Sequence, residues 1–205
     1  MIEYYILDTE TTGLKAGYHE INQISIIRVS DLFQRTINIA VDHPMRASPE
    51  ALKIQKKSRE DLKVGVPKEQ AVEDLIEFFE EDEKTSAHRC IVAHNGSFDR
   101  RHLHALWVLM NQTFPAELWL CTKQFTQRYA RKVGSKKLAL AQNEPKARFT
   151  LAKCLEGCGL KSKFGAHSAT IDTQNTLTLY EFLMAENLDY VSIIKRFPHE
   201  SDDDF

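Results

Sequence analysis

The chain has 205 residues, 42% of them apolar and 27% charged, with eight Gly, six Pro and four Cys, a composition that excludes collagen-like, disordered and disulfide-stapled chains and suits one globular domain. Its strictly apolar runs, such as Tyr4-Tyr5-Ile6-Leu7, fall far short of the roughly 18 residues a membrane span requires, and Glu3 and Asp8 stand where a secretory leader would be basic and then apolar; a cytoplasmic protein with no membrane partner is expected. The net charge of −2 argues against a nucleic-acid partner until it is followed along the chain: from Lys123 to Lys163 eleven basic residues face two acidic ones, leaving a balance of +9 there and −11 elsewhere, a candidate track for a polyanion.

Ile2–Thr9 is rich in β-branched and aromatic residues and reads as a strand stopped by Thr11-Thr12-Gly13. Ile21–Val29 and Phe33–Val41, joined around Ser30-Asp31, read as an antiparallel hairpin, and a short helix is expected over Pro49–Gln55. After Pro67, Val72, Leu75, Ile76 and Phe79 form one helical stripe. Cys90–Ala93 reads as a buried strand, Leu103, Leu106, Trp107 and Met110 as a second stripe, and Leu118–Cys121 as a fifth strand. Helices are expected over Thr122–Lys132, Thr150–Cys158 and Ser168–Glu186, with a charged segment from Gly134 to Arg148 that shows no pattern. Strands first, then alternation with helices, gives an α/β chain with a mixed sheet of about five strands flanked by helices, in one domain. Cys154-x3-Cys158 followed by His167 lacks a fourth zinc ligand at a usual spacing, so reduced, buried thiols are expected.

Asp8 and Glu10 end the first strand two residues apart, so their side chains leave the same face. The pair alone is weak, since 29 acidic residues give roughly four such pairs by chance. Its setting strengthens it, because Gly13 beyond it would let a ligand approach the backbone. Asp99 falls in the first turn of the helix after Asn95-Gly96-Ser97-Phe98. His167 and Asp172 are five residues apart, about 140° around a helix, which puts His167 in the preceding loop, Ser168 near the cap and Asp172 in the first turns. Four carboxylates from three elements repel one another unless cations neutralise them. All-oxygen donors select Mg²⁺ or Mn²⁺, and four suffice for two ions with a phosphate between them, the arrangement that serves phosphodiester hydrolysis. His167, with an ordinary pKa of about 6.5, could take the proton of the attacking water.

The blocks Asp8-Thr9-Glu10-Thr11-Thr12-Gly13-Leu14, Asn95-x-x-Phe98-Asp99 and His167-x4-Asp172 resemble, in order and separation, the three motifs of the DEDDh family of 3′ to 5′ exonucleases, most of all the bacterial exonuclease X type and the epsilon proofreading subunit of replicative polymerases, and the runs Val92–Arg101 and Leu118–Thr122 read much like exonuclease X. The resemblance implies a ribonuclease H-like fold over residues 1–195, two Mg²⁺ or Mn²⁺ ions, and release of nucleoside 5′-monophosphates from 3′ ends. It implies that Asp8, Glu10, Asp99 and Asp172 are metal ligands and His167 the general base. It further implies that Thr11 and Leu14 touch the terminal nucleotide while Asn95 and Phe98 shape the pocket floor. Gln23 stands where many members carry glutamate, a departure that catalysis should survive. A DNA exonuclease is the leading reading, with a 3′ exoribonuclease or a non-cutting 3′-end binder as alternatives; any replication role needs a polymerase or other partner in trans. Lys136 and Lys137, in the basic stretch, are expected on the substrate backbone. Residues 196–205 form an acidic tail, and Glu200–Phe205 resembles the acidic tip of bacterial single-stranded-DNA-binding proteins, although a solvated tail is the plainer reading.

Overall fold

The computed structural model describes residues 1–134, 149–163 and 168–196. Six strands, β1 (Glu3–Thr11), β2 (Ile21–Arg28), β3 (Gln34–Asn38), β4 (Arg89–Ala93), β5 (Leu118–Cys121) and β6 (Lys195–Arg196), form one sheet in the order β3-β2-β1-β4-β5-β6. β1 pairs antiparallel to β2 and parallel to β4, and β5 pairs parallel to β4. The carboxyl ends of β1, β4 and β5 therefore lie along one margin of the sheet. This mixed sheet, flanked by helices on both faces, is of the ribonuclease H-like kind.

Strand alternation sorts the core. Tyr5 and Leu7 point to one face, where they pack with Ile24 and Ile26 under α2 (Lys68–Glu80) and α3 (Ser97–Leu109) through Val72, Leu75, Phe78, Phe79, Leu103 and Trp107. Ile6 points to the other face and packs with Ile27, Cys90 and Val92 beneath α4 (Thr122–Val133), α5 (Leu151–Gly157) and α6 (Ala169–Ala185). Each fully buried large side chain contributes roughly 1.5–3 kcal/mol of burial. A separate short helix, α1 (Pro49–Gln55), starts where expected, with Ser48 Oγ accepting the Ala51 N–H at 3.1 Å.

Most boundaries fall within a residue of the sequence reading, and the larger differences have physical causes. β1 runs two residues further, because Thr11 still pairs with Ile21 beyond a bulge after Glu10. β3 ends at Asn38 rather than Val41, since the chain there leaves β2 to exchange Ala40 N–H to Val66 O and Val66 N–H to Asn38 O, each at 2.9 Å. β6, two residues long, is too short to show a period and adds a sixth strand.

Beneath the start of β4, Arg89 and Asp82 form a buried pair at 2.6 Å, their side chains 6% and 2% exposed. Arg89 also donates to the Phe79 and Pro115 carbonyls, and the Tyr5 hydroxyl donates to Asp82. Burial pushes the Asp82 carboxyl upward, but Arg89 and Tyr5 more than reverse this and leave it below its ordinary value. Among the described residues no helix is long and apolar enough to cross a membrane.

Candidate active site

Asp8 and Glu10 follow Ile6 on the face covered by α6, and the first turn of α6 lowers Asp172 onto them. One oxygen from each of these three carboxylates lies within 4.8 Å of the other two. Asp99 arrives from the opposite face, in the first turn of α3. Thr9, whose side chain points that way because it alternates with its two acidic neighbours, fastens Asp99: its N–H and Oγ1 both donate to Asp99 Oδ1, at 3.0 and 2.8 Å. Asp99 is buried. The start of α6 is fixed from β2 and β3. Gln23 Oε1 accepts the Ala169 N–H at 2.9 Å, Gln34 donates to Thr170 O at 3.0 Å, and the buried Thr173 hydroxyl donates to Ser25 O at 3.3 Å. Ser168 is the N-cap residue, as expected, but its side chain makes no capping bond, so Gln23 fills that part from across the sheet.

The electrostatics follow from burial and like charge. Burial first, then the charges of Asp99, Asp172 and Glu10, hold Asp8 well above the usual carboxylate range. Glu10 is pushed up to about 7 by burial and by Asp172, with Lys57 pulling the other way. Burial raises Asp99 to about 7 in spite of the two Thr9 bonds. A half-buried, all-carboxylate set of this kind fits a hard divalent cation, whose charge would relieve the repulsion.

The remaining sequence candidates divide. Leu14 is 82% exposed, free to meet a ligand. Thr11 is buried and its hydroxyl donates to Gly13 O at 2.7 Å. Asn95 is exposed, with its Oδ1 taken by Lys123 Nζ at 3.2 Å. Phe98 is half-buried, with its ring 4.4 Å from that of His102. The Gly13 turn is not open as the sequence suggested: a Cβ there would lie 2.6 Å from the His19 ring, which occupies that side. His167, Lys136, Lys137 and residues 197–205 of the acidic tail lie outside the described residues, while Arg196, expected to open that tail, is the last residue of β6.

His94, beside the second motif, is bound between Thr122 Oγ1 and Phe149 O, and burial lowers it to about 4, so it is a neutral structural group. His43, which sequence spacing leaves alone, joins Glu20 and Asp42 in an exposed cluster. There Glu20 receives the N–H groups of residues 42 and 43 and Asp42 pairs with Lys68. The four cysteines are free, and burial raises Cys154 to about 12 and Cys158 to about 11, which keeps them protonated and inert. Sequence reasoning missed Thr9 and Gln23. Alternation could have found Thr9, since a hydroxyl between two site acids must face the other side of the strand. Gln23 was visible only as a departure from the motif.

Residues 5–180 match the family model RNase_T, described as exonuclease. Among solved structures, the chain is similar to cell-death related nuclease 4 (TM-score 0.72, 16% identity, covering 90% of this chain and 64% of that one). It is also similar to the zinc-bound complex of E. coli exonuclease I with single-stranded DNA (0.73, 14%, 94% and 42%), and to the nuclease domain of 3′hExo, a DEDDh family member, bound to rAMP (0.69, 13%, 92% and 94%). At these identities the likeness shows the fold, and the chain spans 64% and 42% of the length of the first two. A comparison with curated protein sequences gave no match. With the matched segment running from β1 into α6 and the acids of all three motifs gathered at one margin of its sheet, the chain belongs to the RNase_T exonuclease family.

Proposed function

We propose that this chain hydrolyses nucleic acid from free 3′ ends, DNA in preference to RNA, and releases nucleoside 5′-monophosphates in the cytoplasm. The observation that supports this best is the convergence of Asp8, Glu10 and Asp172 within 4.8 Å, with Asp99 fastened beside them by Thr9. Asp8, Glu10, Asp99 and Asp172 would hold two Mg²⁺ or Mn²⁺ ions. When bound, such ions supply an activated water and stabilise the leaving 3′-oxygen. The residues of the chain do the rest. Thr9 and Gln23 orient the two carboxylate-bearing helices, exposed Leu14 meets the terminal bases with Thr11 behind it, Asn95 and Phe98 border the last nucleotide, and His167 takes the proton of the attacking water.

Two solved neighbours favour keeping RNA as the second reading: the 3′hExo nuclease domain was bound to rAMP, and another structure shows a 3′-exonuclease recognising a histone mRNA stem-loop. The test supplies 3′-ended single- and double-stranded DNA and RNA to the purified protein with Mg²⁺ or Mn²⁺. Stepwise shortening of DNA that stops with chelator is the expected result. Metal-dependent binding without shortening would instead make the chain a 3′-end binder.

A further inference from the structure

Beside the carboxylates, at the same margin of the sheet, a cavity of about 190 Å³ opens between the carboxyl ends of β4 and β5 and the short β6. Its walls include Asn95, Arg100, Lys123, Gln124, Gln127 and Lys195, and among the described residues no acidic one lines it. That sign is opposite to the neighbouring carboxylate cluster and to the acidic body of the chain. Arg100 Nε is buried with no hydrogen-bond partner among the described residues, while another of its guanidinium nitrogens reaches only the Arg196 carbonyl, at 3.4 Å. The amino ends of α3 and α4 both border the cavity, at Gly96-Ser97 and Cys121-Lys123, and neither has a side-chain cap. Their partial positive charge adds to that of the three cationic side chains. Ser97 is exposed, and Gln124 and Gln127 offer donors that suit phosphate oxygens.

We propose that this cavity is a backbone-phosphate subsite, which grips a phosphodiester of the nucleic-acid strand upstream of the scissile one. The inference rests on the exonuclease reading for the identity of its ligand. β5 stands two strand spacings from β1, about 10 Å, so a strand whose 3′ end meets Asp8 and Glu10 has an upstream phosphate within reach of Lys123. Asn95 links the two sites, because it opens the turn that leads to Asp99 and also accepts from Lys123. The subsite also answers an electrostatic problem: an acidic centre repels a polyanion, and fixed cations placed one or two phosphates away hold the strand without entering the reaction.

The test is made on the full chain with a short labelled oligonucleotide in chelator, where hydrolysis cannot proceed, so binding is read even if the exonuclease reading fails. Lys123→Gln with Lys195→Gln alters only exposed or half-exposed side chains; Arg100→Gln is the second variant. Each lost single-strand phosphate contact should flatten the slope of log affinity against log salt by about 0.7, and the double variant by up to about 1.4, for every base sequence alike. With metal restored, KM for the oligonucleotide should rise more than kcat falls. An unchanged salt slope in both variants overturns the proposal. So does a variant that binds oligonucleotide normally but loses competition by a nucleoside 5′-monophosphate, which would make the cavity a product site.

Discussion

Gln23 Oε1 accepts the Ala169 N–H at 2.9 Å, across 146 residues of chain, while its Nε2 donates to Asn38 at 2.8 Å. The amide is thus held at both ends, and it stands directly opposite Glu10 in the β1–β2 ladder. A glutamate here would keep the acceptor for α6 but place a like charge across from a site carboxylate, which destabilises a strand pair by roughly 0.2–1 kcal/mol. Gln23→Ala should lower stability by about 1 kcal/mol, the usual loss for a helix cap, and weaken Mn²⁺ binding by loosening Asp172. Gln23→Glu should fold near normally and bind Mn²⁺ at least as well. Denaturant unfolding and metal titration read both. An Ala variant with unchanged metal affinity would separate Gln23 from the site.

The acidic cluster should make the metal-free protein less stable as pH rises. Glu10 and Asp99 titrate near 7 in the folded chain, against about 4 when unfolded. The folded state therefore keeps protons that the unfolded state has released, and the stability these groups provide falls between about pH 4 and pH 7. In chelator, Asp8→Asn should melt above wild type, with the gap widening from pH 5 to pH 7.5. Mn²⁺ should raise wild type more than the variant. A gap that does not change with pH would mean the acids are solvated rather than crowded.

Hydrolysis should vanish with Asp8→Asn, Asp172→Asn or chelator, measured as loss of nucleotide release from a 3′-ended oligonucleotide. Activity that persists in either variant would remove those residues from the metal site.

For His167, the alanine variant should reduce the rate by roughly 10² to 10⁴ with little change in substrate affinity. The wild-type rate should rise with pH through the histidine range. A near-normal rate in single-turnover measurements would remove it as the base.

Breaking the Arg89–Asp82 pair leaves a charge buried beneath β4, so Asp82→Asn or Arg89→Met should destabilise by about 3–5 kcal/mol. Because the Asp82 carboxyl sits below its ordinary value, its contribution is present above about pH 4 and is lost on further acidification. The two electrostatic features therefore act in different windows, which a pH series of unfolding curves can resolve.

What the sequence disclosed was local. The two-residue spacing of Asp8 and Glu10, the helical stripes ending at Phe79 and starting at Leu103, and the placement of Asp172 in a first turn all follow from periods of two or 3.6 residues. What it concealed was pairing at a distance. Thr9 to Asp99 spans 90 residues and Gln23 to Ala169 spans 146, and no period connects such partners. The Gly13 turn misled for the same reason, since the ring that fills it belongs to His19, which comes near only after the chain has turned back. The basic stretch was seen as a linear run, whereas the cavity beside Asn95 draws one of its members, Lys123, together with Arg100 and Lys195 from outside it.

The strand that carries two of the acids also has a neighbour on each side, whereas Asp172 rides on the first turn of a helix, where chains fray. Amide hydrogens of β1 should exchange with solvent only when the whole sheet opens, and those at the start of α6 through smaller excursions. A cation gathered by both would act as a clasp between a slow part of the molecule and a faster one, quieting the helix end while leaving the exchange of β1 almost untouched.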